Sequence, residues 1–128
     1  MNRKVFLIFT TEDKPLADQF RKKAQDDHLP FEFRDYSMKH SVNHPWKPQV
    51  EKIILDSALV LCLVGRRTYQ SAPVNWEIQK GIELGKPVVA LYLVDDQVPI
   101  PKALLENSIT PIRWQLGEII RAFEEVNS

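Results

Sequence analysis

Glu77 is the carboxylate in this sequence best placed for chemistry. It stands in Ser71-Ala72-Pro73-Val74-Asn75-Trp76-Glu77-Ile78, where Pro73 opens a helix that reaches Leu84 and stops at Gly85. At about 100° per residue, Val74, Ile78 and Ile82 define the inward arc, and Leu84 widens it. Glu77 falls inside that widened arc, away from the solvent face of Gln79 and Glu83. The helix macrodipole favours a carboxylate in the first turns, and an inward one beside a crevice is a candidate catalytic group. A structural role is the alternative: pairing with Lys80 or with Arg66-Arg67, Glu77 would simply hold the helix start.

Other reactive side chains carry weaker signals. His40 and His44 are four apart with Asp35 nearby, a spacing known from metal sites on helices, but they lie in a loop closed by Pro45. No third strong ligand accompanies them, so loop histidines are expected and no metal. Asp35 ends a strand and could face the same crevice as Glu77; an Asx-turn or a pair with Arg34 is its structural role. Cys62 sits inside an apolar run and reads as a core residue, not a nucleophile. Gly85-Lys86-Pro87 lacks the upstream glycine and following hydroxyl of a phosphate loop.

The elements that must position Glu77 alternate strand and helix. Residues 4–9 form an almost wholly apolar strand. Thr10-Thr11-Glu12-Asp13 supplies turn and N-cap chemistry, and Pro15 fits the first turn of a helix over 14–27 with Leu16, Phe20 and Ala24 on one stripe. A strand at 31–34 and an irregular connection at 35–45 follow. Next come a helix from Trp46 to Asp56 and the strongest strand, 58–64. After the Pro73–Leu84 helix, residues 87–93 make another buried strand, and one helical turn is expected near 102–106. Residues 109–112 read as a short fifth strand, Pro111 suiting a sheet edge. The last helix carries Leu116, Ile119, Ile120, Phe123 and Val126 on one side. This alternation predicts an α/β fold with a parallel sheet and helices on both faces. Five strands in this length match the flavodoxin-like doubly wound five-stranded parallel sheet, whose order 2-1-3-4-5 is an expectation from the fold and not from the residues. Ligands of such sheets bind beyond the carboxyl ends of the strands, where the order reverses between strands one and three. That narrows the site to residues 9–13, 34–44 and 65–77.

Composition removes several classes. The chain has 128 residues with 17 basic and 17 acidic side chains, a net charge of zero, which argues against a general nucleic-acid binder. One cysteine excludes an intrachain disulfide. No apolar run approaches a membrane span and the start does not read as a signal peptide, so a single cytoplasmic domain over residues 1–128 is expected. Strand three ends Leu63-Val64-Gly65-Arg66-Arg67, with no carboxylate for a phosphorylatable receiver. The turn after strand one has hydroxyls but no glycine, unlike a flavin-phosphate loop.

Several segments together resemble a known family. Val5-Phe6-Leu7-Ile8-Phe9, Phe31-Glu32-Phe33-Arg34-Asp35-Tyr36-Ser37, Trp46, Leu63-Val64-Gly65-Arg66-Arg67-Thr68-Tyr69, Val74-Asn75-Trp76-Glu77-Ile78 and Glu83-Leu84-Gly85-Lys86-Pro87-Val88 occur in that order. In order and spacing they are similar to the bacterial TIR-like domains of the Thoeris ThsB family, over roughly residues 3–95. The resemblance implies an enzyme that cleaves the nicotinamide N-glycosidic bond of NAD, its substrate and not a resident cofactor. The product would be an ADP-ribose-derived, in some members cyclic, nucleotide that activates a separate effector protein during phage infection. Glu77 matches the family's essential glutamate, which would orient the ribose and stabilise its oxocarbenium-like transition state. Phe9 and Thr10 would line the nucleotide's entry, and Trp46 or Trp76 would stack on a ring. From residue type alone, Arg66 and Arg67 (Arg67 above all) could meet a pyrophosphate or could equally be a solvated pair after the strand. Many catalytic TIR domains carry Trp-Cys just before the glutamate; here Pro73 and Val74 stand in their place, which leaves the reaction product open.

Two other functions remain compatible with the residues. One is a non-catalytic interaction module self-associating through residues 35–45 and the Trp76 face. The other is a nucleoside deoxyribosyltransferase-like enzyme, which also uses a glutamate on a related fold but would leave NAD untouched.

Overall fold

The computed structural model describes residues 3–36, 46–95 and 97–125, without the side chains of Leu116 and Phe123. The order is β1 (Arg3–Ile8), α1 (Lys14–Asp26), β2 (Phe31–Arg34), α2 (Trp46–Leu55), β3 (Leu59–Val64), α3 (Ala72–Glu83), β4 (Val88–Tyr92), α4 (Lys102–Glu106) and α5 (Leu116–Glu125). Single 3-10 turns at Thr11–Asp13 and Thr68–Gln70 follow β1 and β3. All pairings are parallel, in the order β2-β1-β3-β4.

The strands β1, β3 and β4 are largely apolar on both faces because helices cover both, whereas edge strand β2 turns Phe31 and Phe33 to one core and Glu32 and Arg34 away from it. On one face Val5, Leu7, Leu59, Leu61, Leu63 and Leu91 pack with Ala17 and Phe20 of α1 and Ile119 of α5. On the other, Phe6, Ile8, Val60, Cys62 and Val64 meet Val50 and Ile54 of α2, Val74 and Ile78 of α3, and Leu104 of α4. Successive strand residues alternate between these cores, as a period of two requires. Cys62 is one of the buried core residues, as its apolar run implies.

The fifth strand is the expectation that fails. Among the described residues, 109–112 contribute a single bridge, Leu91 to Ile112, with Ile112 N–H donating to Ala90 O at 2.9 Å and Tyr92 N–H to Ile112 O at 2.8 Å. The chain is diverted on either side. Ile109 N–H is held by Leu104 O of α4, and Gln115 N–H donates to Arg113 O at 2.8 Å as the backbone turns into α5. The extended stretch is too short for a second pair, so the sheet has four strands, with Ile112 standing where a fifth would lie beside β4.

Local chemistry explains the helix ends around the site. Pro15 and Pro73 occupy first-turn positions of α1 and α3, where a missing N–H costs nothing. Ser71 caps α3, its Oγ accepting from Val74 N–H at 3.2 Å. Gly85 ends it at φ +75, a left-handed geometry that glycine adopts without strain.

Candidate functional site

The reversal of strand order lies between β1 and β3, and a cleft of about 350 Å³ opens there. Thr10, Thr11 and Glu12 from the turn after β1 form one wall; Arg67, Gln70, Ser71, Ala72 and Pro73, from the turn after β3 into α3, form the other. Two of the residues singled out by sequence, Thr10 and Arg67, therefore line the same cleft. Thr10 is 9% exposed. Arg67 is 72% exposed at its side chain and stands 4.0 Å from Glu12 across the opening, a surface geometry of small energetic value. Its guanidinium is accessible to a ligand.

Glu77 is fully buried on α3, between Val74 and Ile78, with 0% exposure. The inward arc read from helical periodicity is thus its actual position. It is not among the described residues lining the cleft, whose α3 wall ends at Pro73. Phe9, at 5% exposure, belongs to the core beneath the same strand edge.

Trp46 and Trp76 come together although thirty residues separate them in the chain. Their rings meet edge to face, centroids 5.1 Å apart at 78°, an arrangement favoured by the aromatic quadrupoles. Lys47 Nζ lies 5.3 Å and Lys80 Nζ 5.5 Å from the Trp76 ring centroid, within cation–π range. Lys80 also stands 3.5 Å from Glu83. Both indoles are partly buried against the α2–α3 core, and Trp76 packs against Trp46 of α2.

Asp35 is bound by Arg21 of α1, not by Arg34. Arg34 instead reaches Asp56 at 2.6 Å, and Lys4 meets the same carboxylate at 3.1 Å. These hydrogen bonds and charges, Lys4's first, hold the Asp56 carboxyl below its ordinary value of 3.8. The expectation of an Arg34 partner assumed neighbours in sequence; side chains of adjacent strand residues point to opposite faces.

The structure also assembles a cluster that sequence reasoning missed. Asp13 occupies the N-cap position of α1, yet its side chain caps no backbone N–H. It turns inward, 8% exposed, where the Thr10 hydroxyl donates to Oδ2 at 2.9 Å and the Thr68 hydroxyl at 3.4 Å. Thr68 is fully buried, its Oγ1 accepting Gly65 N–H at 2.7 Å. A Cβ on Gly65 would sit 2.2 Å from Asp13 Oδ2, so only glycine lets the two turns close together. An Asp after an apolar strand looks like any cap; the one legible hint is the glycine ending β3 opposite it.

His40 and His44, with the rest of 37–45, lie outside the described residues. Among the described residues no three metal-ligating side chains converge, and no helix is long and apolar enough to cross a membrane. A wider groove of about 540 Å³ runs between α1 and edge strand β2, lined by Arg21, Gln25, His28 and Phe33 among others. It lies off the switch point.

Comparison with known families gives residues 6–97 as a match to the Thoeris protein ThsB, TIR-like domain. The chain belongs to this family. No curated protein matches the sequence significantly. Among solved structures, the TIR domain of the Toll-related receptor TRR-2 from Hydra magnipapillata is similar with a TM-score of 0.66 at 11% identity, over 97% of this chain and 98% of that one. The TIR domains of the activated Roq1 resistosome, which recognises the pathogen effector XopQ, give 0.54 at 15% identity, over 85% of this chain and 65% of theirs. A prokaryotic SEFIR domain gives 0.54 at 10% identity, over 98% and 96%. At such identities the likeness concerns the fold, and it places this ThsB-family chain among TIR architectures.

Proposed function

We propose that this ThsB-family protein cleaves the nicotinamide N-glycosidic bond of NAD, passing ADP-ribose to water or to an internal acceptor to make a signalling nucleotide in anti-phage defence. The observation that carries this reading is Glu77: a glutamate inside the family-matched span 6–97, held within the domain at 0% exposure. A carboxylate kept from water interacts more strongly with developing positive charge than one in solvent. As nicotinamide leaves with the bonding electron pair, charge grows on the ribose, and Glu77 stabilises it. Arg67 receives the pyrophosphate bidentately, Thr10 and Phe9 border the nucleotide, Trp46 and Trp76 supply an aromatic face, and Asp35 acts from the end of β2. The product diffuses in the cytoplasm to a separate effector, and no metal takes part.

Because Glu77 has no exposed surface here, turnover requires a displacement that uncovers it, a gating step of the kind common in enzymes that exclude water. The test is nicotinamide release from NAD by chromatography, with Glu77→Ala and Glu77→Gln alongside wild type. Loss of release in both supports the assignment; wild-type turnover in either refutes it.

A further inference from the structure

We propose that Asp13 is the positioning residue of the switch-point cleft: it fixes the Thr10 hydroxyl as an acceptor, so that Thr10 takes a ligand's hydroxyl or amide N–H and not a phosphate oxygen. The ligand class rests on the dinucleotide reading above; the clasp does not. A carboxylate accepts hydrogen bonds only, and a threonine hydroxyl has one proton. Thr10 gives that proton to Asp13 Oδ2 at 2.9 Å. Any hydrogen bond between Thr10 Oγ1 and a cleft ligand is therefore one that Thr10 accepts. Glu12, beside it on the same wall, is also acceptor-only as a carboxylate.

The opposite wall has the reverse character, with the exposed guanidinium of Arg67 one residue before Thr68. Thr68 is tied into the same carboxylate at 3.4 Å and to Gly65 N–H at 2.7 Å, so Asp13 holds both walls at once. A phosphate placed against Thr10 would set lone pair against lone pair, whereas against Arg67 it finds donors. Thr10 and Arg67 together thus favour one orientation of the ligand, with a sugar or carboxamide donor at Thr10 and the anionic group at Arg67.

The test titrates NAD and, separately, inorganic pyrophosphate into the unmodified chain and its variants, following amide chemical shifts, with amide exchange at Gly65 measured in the unliganded protein. Asp13→Ala is expected to weaken NAD about five- to tenfold, to weaken pyrophosphate less, and to speed exchange at Gly65. Asp13→Asn keeps an acceptor oxygen and is expected to restore all three. Arg67→Ala weakens pyrophosphate. Should Asp13→Ala fail to fold, Thr10→Val is expected to weaken NAD alone, and Thr10→Ser to restore it. Unchanged NAD affinity in Asp13→Ala or Thr10→Val overturns the proposal, as does an Asp13→Asn protein that resembles the alanine variant. Wild type that binds no NAD overturns the dinucleotide reading and with it the ligand class. A Gly65 amide that stays protected in Asp13→Ala overturns the clasp itself.

Discussion

Replacing Gly65 with alanine tests the clasp from its other side. The added Cβ would lie 2.2 Å from Asp13 Oδ2 and 2.7 Å from its Cγ and Oδ1, so the carboxylate must move. Moving it breaks the 2.9 Å bond from Thr10, which contributes about 1 kcal/mol when intact, and the long 3.4 Å contact from Thr68, which adds little. Overpacking adds about 1–3 kcal/mol, for a total of about 3 kcal/mol, or a fall in Tm on the order of 10 °C in a domain of this size. Gly117→Ala is the control, since nothing lies within 4 Å of its added Cβ and its place in the first turn of α5 keeps the propensity gain below the roughly 1 kcal/mol of a helix interior. The decisive measurement is a double-mutant cycle by urea unfolding. Asp13→Ala removes the atoms that Gly65→Ala strikes, so the double variant should be more stable than the sum of the two single losses by about 1–2 kcal/mol. Additive losses, or a Gly65→Ala protein within 0.5 kcal/mol of wild type, would show that the turn after β3 yields instead and that the clasp does not constrain it.

Asp56 gives a pH signature. Its carboxyl is held below 3.8 by Lys4 and Arg34, so its contribution is complete above its unfolded pKa and is lost as pH falls through the folded one. Asp56→Asn should therefore flatten the acid limb of the urea midpoint below about pH 4 and leave that of Asp56-independent variants such as Gly117→Ala unchanged. The Trp46–Trp76 pair, with centroids at 5.1 Å, should show a coupling of about 0.5–1.5 kcal/mol in a cycle of leucine substitutions. Coupling near zero would mean that each indole packs independently.

The alternation of buried strands and amphipathic helices was legible because period and a flanking Gly or Pro agree at several boundaries, Pro15, Pro30, Gly65, Pro73 and Gly85 among them. Pro73 and Gly85 mark the two ends of α3 within a residue or two, and helical spacing alone turned Glu77 inward. The fifth strand was not legible, because the bonds diverting Ile109 and Gln115 depend on where α4 and α5 sit. Asp35 and Arg34 took partners from α1 and from the turn after α2, and tertiary pairing of long side chains leaves no trace in local spacing. The Asp13 cluster failed for the same reason. Threonine and aspartate after a strand satisfy cap preferences, and only the approach of β3's end reveals that they face inward.

Glu77→Gln separates a catalytic glutamate from a structural one more cleanly than activity alone. Its side chain has 0% exposure, and withdrawing a charged carboxylate from water carries a large desolvation penalty. A structural Glu77 that anchors the helix through a buried ion pair should cost about 3–5 kcal/mol when its charge is removed, because the partner is left uncompensated. A glutamate retained for chemistry should behave oppositely, since the near-isosteric amide removes the charge but not the shape. Urea unfolding of Glu77→Gln should then give stability equal to wild type or higher by about 1 kcal/mol, alongside loss of nicotinamide release. Such pairs of gained stability and lost activity are characteristic of groups held against their preferred environment. A variant that loses several kcal/mol would place Glu77 in the framework of α3, whatever its turnover.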